Sequence, residues 1–110
     1  MLSTALSQQA GGIFSLYGTP TIINGATVLA LWRRAEPNRI QMLVNETIFE
    51  QPAWEVQLPA IALQPPVNVA DGVTMIWQAT GILAVVRGME LFDLQGQTAY
   101  LTVIAEQMSE

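Results

Sequence analysis

The sequence predicts a mainly β protein: a small antiparallel β-barrel or sandwich of six to seven strands with one N-terminal α-helix. Three observations support this fold class. Apolar and polar residues alternate with period two over several segments. Turn-forming residues recur near positions 24, 37, 52, 71, 80 and 96, which is the spacing of short strands in such a fold. The length of 110 residues is typical of one domain, which we expect to span residues 1–110.

The N-terminal segment is predicted to be a helix over residues 3–16, because its apolar side chains recur at roughly helical spacing. Gly18 is expected to end this segment, and the barrel to follow over residues 19–106. Asn24–Gly25 tolerates positive φ and therefore predicts a type I′ hairpin. Its second strand, Ala26–Trp32, is apolar on both faces, as in a strand that is covered on both sides.

A charged loop is predicted after this strand, with a turn at Pro37 and Asn38. Its charged residues are Arg33, Arg34, Glu36 and Arg39. Beyond the loop, the alternation of Ile40, Met42 and Val44 predicts another strand.

The next alternating segment places Trp54, Val56 and Leu58 on one face and Glu55 and Gln57 on the other. This pattern predicts a half-buried strand whose polar face meets solvent.

The second half of the chain continues with turns and strands. Pro59 is expected to begin one helical turn, Ala60–Leu63. Asp71–Gly72 predicts a turn, and Asp93 is also assigned to a turn. The remaining predicted strands are residues 73–77, Ile82–Val86 and Gln97–Ala105.

The composition argues against catalysis. The chain has no His, Cys or Lys, and its four cationic side chains are all arginines. A general base would have to be a carboxylate, and no carboxylate lies in a recognisable catalytic motif. The sequence also lacks a carboxylate-rich cation loop and a phosphate loop. We therefore expect no enzyme, no metal and no cofactor.

The charge and hydropathy indicate assembly with other proteins. Charged residues make up 12% of the chain, against about 25% in an average globular protein. Because 51% of the residues are hydrophobic, we expect at least one partner surface. The net charge of −5 argues against a surface that grips nucleic-acid phosphates. No run approaches the roughly 20 apolar residues of a membrane span, so no membrane partner is expected.

The order of these elements resembles that of the head–tail joining, or stopper, proteins of lambda-type tailed bacteriophages. The resemblance lies in organisation more than in residue identity, and it covers most of the chain. The segments that carry it are an opening helix closed by Gly18, PTII, ATVLALW, WEVQLPA with its helical turn, VADG, GILAVV and TAYLTVIA. The chain departs from the family pattern at the corner, where Asp71 precedes Gly72 and the family typically has Gly before Asp.

This resemblance implies a structural virion protein, assembled in the host cytoplasm. Such subunits form a homomeric ring in the phage neck, between the portal or adaptor protein and the tail proteins. Double-stranded DNA would pass through the lumen without specific binding. The residues that we expect at a subunit or partner interface are Ile13, Phe14, Tyr17, Asn24, Gly25, Trp32, Arg33, Arg34 and Arg39.

Two alternatives remain open at this point. The chain would equally suit another phage tail component, either a tail terminator or a baseplate subunit. A small-barrel module of OB type that binds an oligonucleotide or a peptide is the other alternative, and it requires aromatic and cationic side chains on one exposed face. Trp54, Trp77 and Tyr100 fall on separate predicted strands, which argues against it.

Overall fold

The computed structural model of the protein describes residues 14, 17–44 and 52–108, which form a closed antiparallel barrel. Its six strands, in chain order, are β1 (Thr19–Ile23), β2 (Ala26–Arg34), β3 (Ala53–Pro59), β4 (Thr74–Trp77), β5 (Ile82–Leu94) and β6 (Gln97–Gln107). Around the barrel the order is β1-β2-β3-β6-β5-β4, and β4 pairs back onto β1. The predicted mainly β class and barrel architecture are confirmed.

One α-helix lies within the described residues, α1 (Pro37–Val44), between β2 and β3. The single turn predicted at Ala60–Leu63 is present as a 3-10 helix directly after Pro59. Phe14 and Tyr17 have helical backbone, but the rest of the predicted helix over residues 3–16 lies outside the described residues.

The strand predicted from Ile40, Met42 and Val44 is wrong, because these residues belong to α1. Pro37 stands at the first position of this helix, where its missing N–H group costs no hydrogen bond. Ile40 and Leu43 are three residues apart and share the face that packs on the barrel. Met42, which completes the alternation, is 63% exposed, so it marks no buried face, and five residues are too few to separate a period of 2 from a period of 3.6.

Two tight turns have the backbone that the sequence requires. Asn24 and Gly25 take φ of 52° and 79°, which is the left-handed pair of a type I′ hairpin between β1 and β2. Gln95 and Gly96, with φ of 51° and 81°, make the corresponding turn between β5 and β6. Asp93 lies within β5, two residues before that turn, so its assignment to a turn is wrong.

Inward-facing side chains fill the interior of the barrel. Its buried residues are Ile23, Val28, Ala30, Val56, Leu58, Ala62, Val67, Val69, Met75, Ala84, Val86, Leu101, Val103 and Ala105. The 3-10 turn and the segment after it close one end of the interior through Ala62, Val67 and Val69. Asn24 anchors this closing segment, because its amide nitrogen donates to the carbonyl oxygen of Val67 at 2.6 Å.

A second apolar cluster lies on the outer face of the barrel, beneath α1. Ile40 of α1 packs against Ala53 of β3 and Ile104 of β6, and Ala35 and Leu43 border this cluster. Ile104 is fully buried although it faces away from the barrel interior. The helix therefore covers one side of the sheet, so that β3 and β6 are buried on both faces there.

Replacement of the residue beneath α1 tests this packing. We expect Ile104→Ala to lower the free energy of unfolding by about 2–5 kcal/mol, because it removes buried methyl groups and leaves a cavity. Ile61→Ala is the matched control, since Ile61 is 61% exposed, and its effect should stay within about 0.5 kcal/mol. Urea denaturation followed by circular dichroism measures both, and equal effects would contradict the described packing.

Candidate functional site

Closure of the barrel brings together three tryptophans from three different strands. The rings of Trp32 (β2) and Trp77 (β4) are stacked, with centroids 4.9 Å apart and an interplanar angle of 13°. Trp54 (β3) meets both of them edge-on, at 6.2 Å from Trp32 and 5.4 Å from Trp77. We call this region, where β2 and β4 end and β3 begins, the tryptophan end of the barrel.

Hydrogen bonds hold two of these indoles in place. Trp32 Nε1 donates to the hydroxyl of the fully buried Thr21 at 2.8 Å. Trp54 Nε1 donates to the side-chain oxygen of Gln107 at 3.2 Å. The buried Nε1 of Trp77 has no acceptor among residues 14, 17–44 and 52–108. The cluster is therefore fixed by ring packing together with two of its three N–H groups.

Two arginines follow Trp32 at the end of β2, and they differ in what they contact. Arg34 is exposed and places its guanidinium 5.4 Å from the centre of the Trp54 ring, which is cation–π geometry. The Arg33 side chain is 68% exposed and turns to the outer face, where it binds Glu55. The predicted single charged loop is wrong, because Arg33 and Arg34 belong to β2 and Arg39 belongs to α1.

The expectation that Glu55 faces solvent is also wrong, because its side chain is only 1% exposed. Arg33 Nε donates to one of its carboxylate oxygens at 2.6 Å, and Arg39 Nε donates to the other at 2.8 Å. Arg39 also reaches Glu90 of β5 at 3.3 Å. One buried carboxylate thus ties β2, β3 and α1 together, and Arg39 extends the connection to β5.

These contacts determine the charge state of the network. Burial by itself raises the pKa of Glu55, but the hydrogen bonds from Arg39 and Arg33 outweigh it and hold the pKa of this carboxyl below its ordinary value. The hydrogen bond to Glu55 raises the pKa of Arg39 against an opposing effect of burial. Glu55 is therefore a charged structural group at neutral pH, and its oxygens are occupied by guanidinium donors.

A hollow of about 180 Å³ lies beside this network on the outer face of β2 and β3. It is lined by Leu31, Trp32, Arg33, Glu55 and Gln57. The volume is below the roughly 300–1,000 Å³ of typical small-molecule sites. Its one buried charged group is already bound by two arginines, so the hollow has the character of a surface groove.

The end of the molecule opposite the tryptophans is formed by the β5–β6 hairpin. β4 pairs with β5 only as far as Val85, and β3 pairs with β6 only from Tyr100 onward, so the hairpin continues beyond both neighbours. We call residues 91–100 the arm. The side chains of Leu91 and Phe92 are 46% and 44% exposed, and as neighbours in a strand they point to opposite faces.

Two contacts order the arm internally. The rings of Phe92 and Tyr100 stack with centroids 4.7 Å apart, and the hydroxyl of Thr98 donates to the carboxylate of Asp93 at 2.8 Å. The arm is therefore a defined hairpin with a partly exposed apolar side chain on each face.

The residues that the sequence assigns to an interface fall in different places. Ile13 lies outside the described residues, Phe14 is buried, and Tyr17 is 72% exposed. Asn24 and Gly25 are exposed at the end opposite the tryptophans. Trp32, Arg33 and Arg34 lie at the tryptophan end, and Arg39 lies in α1 with its side chain 25% exposed.

Sequence reasoning missed both the arm and the tryptophan cluster. The signal for the arm is the pair Leu91–Phe92, which places an apolar residue on each face of a strand just before a turn. The signal for the cluster is weaker, because each tryptophan alternates correctly within its own strand and only the strand order brings the three rings together.

Comparison of the chain with protein-family models, with curated proteins and with solved structures finds no match in any of the three. Over residues 14, 17–44 and 52–108, the helices are too short or too polar to cross a membrane.

Removal of the buried charge tests the Glu55 network. We expect Glu55→Gln to lower the free energy of unfolding at pH 7 by about 2 kcal/mol, because the amide keeps one acceptor oxygen for one arginine and turns an N–H donor towards the other. Glu90→Gln should cost less, since Glu90 is 47% exposed and binds only Arg39. Chemical denaturation of the three proteins in parallel gives the comparison, and equal losses would show that the burial of Glu55 is unimportant.

The same network predicts a pH dependence. Because the pKa of Glu55 is lower in the folded chain than in the unfolded chain, its stabilising contribution is complete above the unfolded value near 4.5 and is lost as the pH falls through the folded value. The difference in unfolding free energy between wild type and Glu55→Gln should therefore shrink as the pH is lowered from 7 to 3. A difference that stays constant over this range would contradict the assignment.

Proposed function

We propose that this protein is a structural virion protein of a tailed bacteriophage, a neck or head–tail connector (stopper) subunit. In this proposal, copies of the chain form a homomeric ring between the portal or adaptor protein and the tail. The chain acts by assembly, without catalysis and without a cofactor. The order of elements in the sequence motivates the proposal, and the arm is the observation that carries it.

The arm supports assembly because it exposes apolar side chains that the fold does not need. Leu91 and Phe92 lie on opposite faces of β5, outside the core, and remain about half exposed. Large apolar side chains on an ordered, projecting hairpin are typical of subunit interfaces. A barrel that only had to fold would gain nothing from this extension.

The interior of the barrel also favours a scaffolding role. Apolar side chains of all six strands fill it, in contrast to barrels that hold a ligand in their centre. The buried carboxylate of Glu55 is engaged by Arg33 and Arg39 and serves to join elements of the fold.

The engagement of the arginines within the chain is consistent with a ring whose lumen lets DNA pass without binding it. Three of the four form ion pairs within the chain, Arg33 and Arg39 with Glu55, and Arg87 with Glu106 at 3.0 Å. Arg34 packs over Trp54. With a net charge of −5, the subunit offers few unpaired cations for phosphate neutralisation.

Assembly is measured directly by size-exclusion chromatography with light scattering, with and without candidate portal, adaptor and tail proteins from the same genome. We expect a closed ring of defined mass, visible by negative-stain electron microscopy, in at least one of the two conditions. A protein that remains a monomer in both would refute the proposal. If the ring binds the tail proteins and does not bind the portal or adaptor protein, the result would favour the alternative of a tail terminator or baseplate subunit.

The tryptophan end favours a second candidate, a small-barrel module that binds single-stranded nucleic acid. Aromatic rings beside cations are the usual means by which such modules stack bases. Trp54, Trp77 and Tyr100 lie on separate strands as predicted, but Trp54 and Trp77 are nevertheless in contact, with Arg34 beside Trp54, while Tyr100 lies in the arm. The stacked faces of Trp32 and Trp77 are, however, occupied by each other, so we rank this candidate second.

Fluorescence anisotropy of labelled single-stranded DNA separates the two candidates. The connector proposal predicts no binding at low micromolar protein in 50 mM salt. Binding that weakens with salt and is lost in Arg34→Ala would support the nucleic-acid module instead. Gln41→Ala, an exposed substitution on α1, is the control that should leave the result unchanged.

A further inference from the structure

Each end of the molecule carries one exposed charged residue that forms no ion pair among the described residues, Asp93 at the arm and Arg34 at the tryptophan end. Asp93 lies in the exposed arm, and Glu90 precedes it on the same strand. Arg33 and Arg34 lie at the tryptophan end, with Arg34 exposed. Because Arg33 is bound to Glu55 and Glu90 is bound to Arg39, the two opposite charges that remain for a contact are Asp93 and Arg34.

These charges cannot meet within one copy of the chain. Arg34 pairs across the sheet with Trp54, which pairs with Ala105, whereas Asp93 pairs with Thr98. Ala105 and Thr98 are seven residues apart along β6. At 3.3 Å per residue, Arg34 and Asp93 are therefore separated by about 23 Å along the strand direction. The attraction between Asp93 and Arg34 is available only to two different copies.

Apolar side chains accompany the charges at both ends. On the arm these are Leu91 and Phe92. Beside the tryptophan end, Leu83 and Met108 are 37% and 40% exposed, and a hydrogen bond of 2.8 Å joins their backbones. Gln107, the residue before Met108, binds Trp54. Met108 therefore follows directly after a residue that contacts the tryptophan cluster, so that an exposed apolar side chain lies near Arg34 at this end.

We propose that the arm of one copy docks on the tryptophan end of the next copy, with Asp93 facing Arg34 and Phe92 packing beside Met108. This inference rests on the proposed ring function and names the contact that builds the ring. The contact joins two different surfaces, so it is heterologous, and repeated contacts of this kind close into a ring when the rotation permits.

Pairing of two arms with each other is less favourable. From Gly88 to Leu94, β5 has no strand on its second edge within the described residues, and a free edge of this kind can pair with another chain. A two-fold pairing along this edge would, however, bring Glu90 and Asp93 of both copies together.

A charge exchange tests the contact. We expect Asp93→Arg and Arg34→Asp each to raise the concentration at half-assembly by at least about tenfold, because each places like charges at the contact. An equimolar mixture of the two variants should assemble again, since every arm then meets a tryptophan end of opposite charge. Sedimentation velocity of the 110-residue chain, with and without the neck partners, measures assembly.

Control variants distinguish a loss of assembly caused by the changed charge from a loss caused by misfolding. Asp93→Asn keeps an acceptor for the Thr98 hydroxyl while removing the charge, so its effect should be smaller than that of Asp93→Arg. Gln41→Arg and Gln41→Asp change the charge in the same two directions, by one unit each, on the exposed face of α1 and should assemble like the wild type. Thermal unfolding should show that all of these variants fold.

Each outcome decides between the proposals. Arm-to-arm pairing predicts that Arg34→Asp assembles normally, which would overturn the proposed contact. A mixture that fails to assemble would overturn it as well. If a ring forms and neither variant weakens it, the contact is wrong and the connector function stands. A wild-type chain that stays monomeric in both conditions contradicts the contact and the function together.

Discussion

The barrel has to close on strands of very unequal length, and much of the molecule follows from this constraint. β4 has four residues and its neighbour β5 has thirteen, so most of β5 has no partner on the β4 side. The part of the β5–β6 hairpin that extends beyond the neighbouring strands forms the arm, with Leu91 and Phe92 outside the core. The pairing of β1 with β4 closes the barrel, and its pair Thr21 and Trp77 also brings Trp77 onto Trp32. One geometric requirement therefore produces both surfaces on which the proposed assembly depends.

The second organising element is the buried carboxylate of Glu55. A lone charge at this position would be strongly unfavourable, because desolvation penalises the ionised form. Arg33 and Arg39 offset that cost, and in doing so they fix the end of β2 and the position of α1 over the outer face. The arrangement leaves Arg34 as the cation that remains exposed at this end without a carboxylate among the described residues. The same network that holds the fold together thus decides which arginine is available to a partner.

Much of the fold could be predicted from the sequence, because the strands carry local signals. Asn24–Gly25 and Pro59 mark the first hairpin and the 3-10 turn, and the alternation of residues 97–105 identifies β6. The helix α1 was missed because five residues are too few to separate a period of 2 from a period of 3.6. The burial of Glu55 and the tryptophan cluster depend on strand order and on register, which link Arg33 to Glu55 across the sheet. No local pattern encodes such long-range pairings.

The tryptophan cluster gives the molecule an internal optical signal of its tertiary structure. Indole rings that stack at 4.9 Å couple their electronic transitions, so that the pair absorbs and emits differently from separate indoles. Trp32 and Trp54 lie on the neighbouring strands β2 and β3, whereas Trp77 joins them only when β4 pairs with β1 and closes the barrel. Their coupled spectrum would therefore distinguish a closed barrel from a chain that has formed its hairpins but has not joined β4 to β1. Folding and opening of this protein can be followed in that way without any added label.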